Sequence, residues 1–341
     1  MLSQTSLLLS LSLLAAGAAH SAAQTGAPDL PPPEAARAGA AQTGVDGLNA
    51  RVIALAEEGK YTEALPLAEQ VLQLRTTAHG REHVSTADAH QNLGIIHQRL
   101  GNRGRAESHY RRALSVYEKG DEAAKVKATV VLDNLALLSD TPAAGVSLHE
   151  RSLAFKESLF GPDSPEVSMS LFPLAHLHEL QGGEEKAERL FRRFLEVRER
   201  MPFGSPDDAG VALFRLECLA RKRGRGREAA DFAARAEEVF RSAAQGRDTL
   251  SREDVIDGKI VSRPPPSYPA EARRTRESGV VPVRVLVGET GTVLAACGES
   301  RSRALNLAAE RAAYNARFSP TLVGGQPVKV RGVITYRFVA R

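Results

Sequence analysis

The feature that most constrains this chain is self-similarity at a fixed spacing of 42 residues. Leu48, Gly59, Ala64, Ala68 and Leu72 return 42 residues later as His90, Gly101, Ala106, Tyr110 and Leu114. Gly182, Ala187, Phe191 and Phe194 return in the same frame as Gly224, Ala229, Ala233 and Ala236, and Ala106 to Ala187 spans 81 residues, two periods with a small deletion. Each period reads as a helical hairpin: an amphipathic helix stopped by a glycine, a short turn, and a second helix with small Ala where the two cross at close range. One hairpin leaves an apolar face that only the next can cover, so the pattern demands stacking into a solenoid with a concave groove. Aromatics at 5% and the absence of Trp agree with helices packed through small residues.

On these positions residues 45–245 resemble tetratricopeptide repeats, and in particular the 42-residue form of kinesin light chains. That form has a Gly-x-x-His/Ser-Pro loop between repeats, and similar loops stand here at His79-Gly80-Arg81-Glu82-His83, Phe160-Gly161-Pro162-Asp163-Ser164-Pro165 and Phe203-Gly204-Ser205-Pro206-Asp207. The unit from Val126 to Phe160 departs from the pattern. It keeps Asn134-Leu135-Ala136 in its first helix but has Ser139-Asp140-Thr141-Pro142 in place of the glycine turn, which leaves its packing open. The resemblance implies that peptide segments or partner proteins bind along the groove.

After Gln245 the helical rhythm stops; residues 246–263 read as a linker and 264–341 as a small α+β domain. Ala270 to Arg276 is a short helix, and Gly279 to Val287 alternates, with Val281, Val283, Val285 and Val287 on one face. Glu289-Thr290-Gly291 is a hairpin turn, Arg303 to Asn315 is helical, and Val328 to Val339 forms a last strand with Val328, Val330, Ile334, Tyr336 and Phe338 on one face. A sheet so patterned is antiparallel, buries one face against helices and wets the other. The expected fold class is therefore an α solenoid followed by a small α+β domain with an antiparallel sheet.

Residues 264–341 resemble the C-terminal domain of TonB. The resemblance rests on Tyr268-Pro269-x-x-Ala272, the Gly279 to Val287 alternation, Gly291-x-Val293, Leu305-x-x-Ala308-Ala309, Phe318-x-Pro320 and Gly325-x-Pro327-Val328, although Ala316-Arg317-Phe318 lacks the usual Trp. It implies a domain that grips outer-membrane transporters by adding their N-terminal segment as a strand beside its own last strand. The residues it marks for partner binding are Tyr268, Pro269, Lys329, Arg331, Val333, Thr335 and Arg337. Each added backbone hydrogen bond contributes only about 0.5–1.5 kcal/mol net, so such pairing is weak and reversible.

At the N-terminus, Leu7 to Ala19 is an apolar run followed by Ala-His-Ser-Ala-Ala, so residues 1–23 read as a signal peptide cleaved after Ala23. No Lys or Arg precedes the run, and an uncleaved inner-membrane anchor over Leu2 to Ala23 is the alternative. Residues 24–44, rich in Pro, Gly and Ala, read as a disordered tether with nothing to bury.

From Gly258 to Arg341 there are 14 Lys/Arg against 5 Asp/Glu, a charge of +9, against −5 for the remainder. A basic end suits acidic partners or anionic lipid, while the exported start gives no reason to expect nucleic acid. Cys218 and Cys297 fall in different expected domains and read as two buried thiols, with a bridge between domains as the alternative. Gly224-Arg225-Gly226-Arg227-Glu228-Ala229 matches G-x-G-x-x-A, but it sits on a repeat turn with no strand before it. His176 and His178 diverge on a helix, and His79 and His83 belong to an inter-repeat loop. The chain contains no G-x-S-x-G, H-E-x-x-H, paired-Cys or phosphate-loop motif. The expectation is a non-enzymatic periplasmic adaptor with no catalytic residues, no cofactor and no metal. Its expected partners are an outer-membrane transporter segment or another envelope protein, with a peptide in the repeat groove and a homodimer through the sheet edge as a further possibility. The alternatives are a TonB-type energy transducer that keeps its anchor and a self-associating structural module of the envelope.

Overall fold

A computed structural model describes residues 33–200, 206–243 and 259–340. The chain divides into two compact units, residues 1–162 and 163–341.

In the first unit, α1 (Pro33–Glu57) and α2 (Tyr61–His79), α3 (Val84–Arg99) and α4 (Arg103–Tyr117), and α5 (Glu122–Leu137) and α6 (Pro142–Phe160) form three hairpins. Each pair packs internally, and α2 on α3 and α4 on α5 close the stack. Ala64, Ala68 and Ala106, read as crossing positions, are buried. Gly94 sets the closest approach within the second hairpin, because a Cβ there would stand 2.5 Å from the ring of the buried Tyr110. The expected glycine turn is seen at Gly59 and Gly101, whose φ of 76° and 77° are left-handed.

The third hairpin makes its turn by other means. Thr141 caps α6 by accepting a hydrogen bond from the Ala144 amide at 3.3 Å, and Pro142 occupies the first helical turn, where it needs no N–H. The packing of α5 on α6 is kept by Asp133, which receives Lys156 Nζ at 2.6 Å and contacts His149 Nδ1 at 3.2 Å. Burial pushes the Asp133 carboxyl up, but Lys156 and His149 outweigh it and hold it below its usual value. The loop histidine His83 caps α3, its Nδ1 accepting from the Ser85 amide at 3.1 Å, with its ring stacked on His79 at 4.7 Å. Residues 33–44, expected within the tether, lie in α1 instead. The expected signal segment and the rest of the tether lie outside the described residues.

The second unit opens with two further hairpins, α7 (Pro165–Gln181) with α8 (Glu184–Arg200) and α9 (Pro206–Lys222) with α10 (Gly226–Ala243). Among the described residues, ten consecutive helices of tetratricopeptide-like type thus precede the sheets. The G-x-G-x-x-A match falls on the turn from α9 into α10, where Gly224 has a φ of 71°.

The remaining elements are β1 (Ile260–Ser262), α11 (Ala270–Arg274), β2 (Gly279–Val287), β3 (Val293–Gly298), α12 (Arg303–Tyr314), β4 (Arg317–Phe318), β5 (Thr321–Val323), β6 (Gln326–Val328) and β7 (Val330–Phe338). The main sheet is antiparallel in the order β3-β2-β7, with Val281 opposite Tyr336 and Val283 opposite Ile334. Two small antiparallel pairs, β1 with β4 and β5 with β6, accompany it. Strand β1 lies inside the stretch expected to be linker, since Ile260 pairs with Phe318; residues 246–258 of that stretch are outside the described residues.

One face of the main sheet behaves as its alternation predicts. Val281, Val283, Val285, Ile334, Tyr336 and Phe338 are buried against Leu305, Ala309, Ala312 and Ala313 of α12. The other face corrects the expectation that it is wetted. Leu286, Ala295 and Cys297 are buried there with Phe214 and Cys218 of α9, and Val211 and Phe240 pack at the margin. The alternation misled because two polar positions on this face, Lys329 and Arg331, are long cations whose stems cover apolar surface while their heads reach Asp207 and Glu217 of α9.

Candidate partner-binding edge

Strand β7 is held on one side by nine registered positions of β2, from Gly279 opposite Phe338 to Val287 opposite Val330. Among the described residues no strand pairs its other side, so that edge presents unpaired backbone N–H and C=O groups. A bulge at Leu294, between the pairs Leu286–Ala295 and Val287–Val293, breaks the alternation of β3, so that Ala295 lies towards α9 while Val293 and Ala296 join the α12 side.

The residues singled out from sequence fall into three groups. Tyr268 packs its ring edge-on to Phe338 at 5.9 Å, and its hydroxyl donates to the Glu277 carbonyl. Pro269 is the N-cap of α11 and turns the chain so that the fully buried Ala272 enters the core. These two fix the end of the sheet.

Lys329 and Arg331 are engaged within the chain. Lys329 Nζ lies 3.0 Å from Asp207 and 2.9 Å from Glu289, its side chain 12% exposed. Burial alone would lower its pKa, but hydrogen bonds to Glu289 and Asp207 outweigh it and the net shift is upward. Arg331 donates to the Ala233 carbonyl at 3.0 Å and pairs with the buried Glu217 at 3.3 Å.

Val333, Thr335 and Arg337 form the open group. All three are exposed, Val333 to 55%, and they alternate along the outer half of β7 on the face away from α12. Val280, opposite Arg337 on β2, is 49% exposed and extends the same patch.

Sequence reasoning missed the residue that ties α9 to the sheet. Arg215 is 3% exposed; its Nη1 donates to the Ala296 carbonyl at 2.7 Å and lies 3.6 Å from Glu179, and its Nη2 donates to the Tyr314 hydroxyl. Burial works against the charge on Arg215, yet Glu179 and Tyr314 hold its pKa above the ordinary value. Burial likewise pushes Glu179 up, but Arg215 and then His176 overcome it and hold the carboxyl at about 2. A signal was present: from Val211 to Ala220 the only charged residues are Arg215 and Glu217, so the middle of α9 is apolar beyond a single stripe and must be covered on more than one side.

Among the described residues there is no group of three His, Cys, Asp or Glu placed to hold a metal ion, and no helix long and apolar enough to cross a membrane.

Residues 47–119 match the family model described as tetratricopeptide repeat, and residues 264–340 match the model described as Gram-negative bacterial TonB protein C-terminal. Among curated protein sequences, none matches this chain. Among solved structures it is similar to BtubC (BKLC) from P. vanneervenii, at 18% identity over 61% of this chain and 84% of that one, with a TM-score of 0.52; the likeness is one of fold. It is also similar to kinesin light chain TPR-like repeats from Podosopora anserina, at 16% identity over 60% of this chain and 97% of that one, with a TM-score of 0.47. The chain therefore joins a tetratricopeptide-like segment to a TonB C-terminal-like segment, two domain types that point to protein–protein interaction, the second in the Gram-negative envelope.

Proposed function

We propose that this protein is a periplasmic adaptor without catalytic activity, which recruits one partner through its helical repeats and a second by strand addition to β7. The observation that carries the reading is the one-sided pairing of β7: its partner on the inside is β2, and its outer edge offers backbone groups over the length of Val330–Phe338. Val333, Thr335 and Arg337 are the side chains placed to contact an added strand or what lies above it. Lys329 and Arg331 are withdrawn from that role by their ion pairs to acids of the same unit. The segment captured is an extended N-terminal stretch of an outer-membrane transporter or of another envelope protein.

The full chain is to be titrated with fluorescent peptides taken from transporter N-terminal segments and followed by anisotropy. Saturable, reversible binding that weakens on Val333→Pro supports strand addition. Absence of binding by every peptide overturns it. The same exposed edge also suits pairing with a second copy of this chain, and light scattering on the full chain separates the cases: a dimer lost on Val333→Pro favours the self-associating module over the adaptor.

A further inference from the structure

We propose that Cys218 and Cys297 become joined by a disulfide in the exported protein, stapling α9 to β3. They are the only two cysteines of the chain, 79 positions apart, and the sequence pattern assigns them to different domains. The fold nevertheless brings them together. Cys218 is 0% and Cys297 1% exposed, both lie in one apolar cluster with Phe214, Leu286 and Ala295, and the Cys218 thiol hydrogen-bonds that of Cys297. Within the cluster Ala295 shows that a small apolar side chain also fills this interface, while sulfur stands at Cys218 and Cys297, one on each element.

The chemistry is a two-electron exchange. The two thiols give up two protons and two electrons to the disulfide of a periplasmic thiol–disulfide oxidoreductase; its S–S bond breaks to two thiols as the Cys218–Cys297 S–S bond forms. Burial above all, and then the neighbouring Cys297, hold the Cys218 thiol well above its usual pKa in the folded chain. Both sulfurs are sealed from a second protein once α9 has closed on the sheet, which places the exchange during folding, before closure. Once formed, the bond is out of reach of reductants while the chain stays folded, so it is reduced only after unfolding; it closes a long loop, the case in which a cross-link constrains the unfolded chain most.

The inference rests on the export reading, so its test separates the two. The full chain, with its own N-terminal segment, is produced in a Gram-negative host, quenched in acid, unfolded and alkylated with iodoacetamide before mass measurement. Periplasmic protein that takes up no alkyl group until reduced, and two afterwards, is the expected result; periplasmic protein that takes up two without reduction overturns the disulfide and leaves export standing. If no chain reaches the periplasm, export fails. The pair is then judged by refolding the full chain in mixtures of oxidised and reduced glutathione, where thiols that stay alkylatable at every ratio overturn the proposal. A second readout is thermal. Replacing both cysteines by alanine is expected to lower Tm by about 5–10 °C relative to the oxidised protein, with most of that gap gone when both proteins are unfolded, reduced and refolded in reductant before the scan. An equal gap in both conditions means that the cysteines only pack, and the proposal falls.

Discussion

The two ends of one sheet face differ more than the two faces do. At one end Leu286, Ala295 and Cys297 are buried under α9, and Arg331 and Lys329 are held by Glu217, Asp207 and Glu289. At the other end, on the same strands and with the same alternation, Val280 and Val333 are about half exposed beside Thr335 and Arg337. The difference comes from what lies above. Helix α9 has an apolar middle with two buried charges and acids at its start, and it covers the face only as far as it reaches. A cation on a strand therefore marks a wetted face only when no acid of the same chain is there to receive it.

This contrast is broken most severely at Arg215. Arg215→Ala leaves the buried Glu179 carboxylate with only His176 beside it, 3.9 Å away, and removes the donor to the Ala296 carbonyl, so a loss of about 3–5 kcal/mol is expected in urea unfolding of the full chain followed by circular dichroism. A loss no larger than that of a surface substitution would show that the covered end is not held by this ion pair.

Acid probes the same pair without mutation. Glu179 is held at about 2 against an ordinary 4.5, a depressed carboxylate, so its stabilisation is complete above pH 4.5 and disappears as pH falls towards 2. That interval corresponds to roughly 3 kcal/mol. Arg215→Ala is expected to flatten this part of the pH profile, and an unchanged slope would assign acid sensitivity to other groups.

Arg331→Ala removes one partner of Glu217 and the donor to the Ala233 carbonyl while Arg221 stays in place. A loss of about 1–3 kcal/mol is expected by the same measurement. Val333→Ala, at the open end, should change stability by less than about 0.5 kcal/mol. If the two substitutions cost the same, the division of the face into a covered and an open end is lost.

Much of the fold was legible before any coordinates. The 42-residue spacing located the hairpins, and alternation located β2, β7 and the buried face against α12. The third hairpin resisted because a Thr-Pro cap replaces the glycine, a substitution that is local in physics but invisible to a search for repeated glycines. The start of α1 was hidden by a Pro- and Gly-bearing composition that resembles a tether. The covered sheet face was hidden for a different reason: its closure depends on α9, which ends 57 positions before β2 begins, and long-range pairing of Arg215, Glu217 and Arg331 leaves no periodic trace. Of the residues marked for partner binding, Val333, Thr335 and Arg337 stand on the open half of β7, Lys329 and Arg331 are engaged internally, and Tyr268 and Pro269 brace the end of the sheet.

Hydrogen exchange on the full chain, read amide by amide along Val330–Phe338 with and without a bound transporter N-terminal peptide, is the most direct test of a free outer edge on β7. A free edge predicts that every second amide of the strand exchanges quickly in the free protein and becomes protected when the peptide adds. Uniform protection without peptide, or no gain of protection with it, would mean that the edge is not where partners dock.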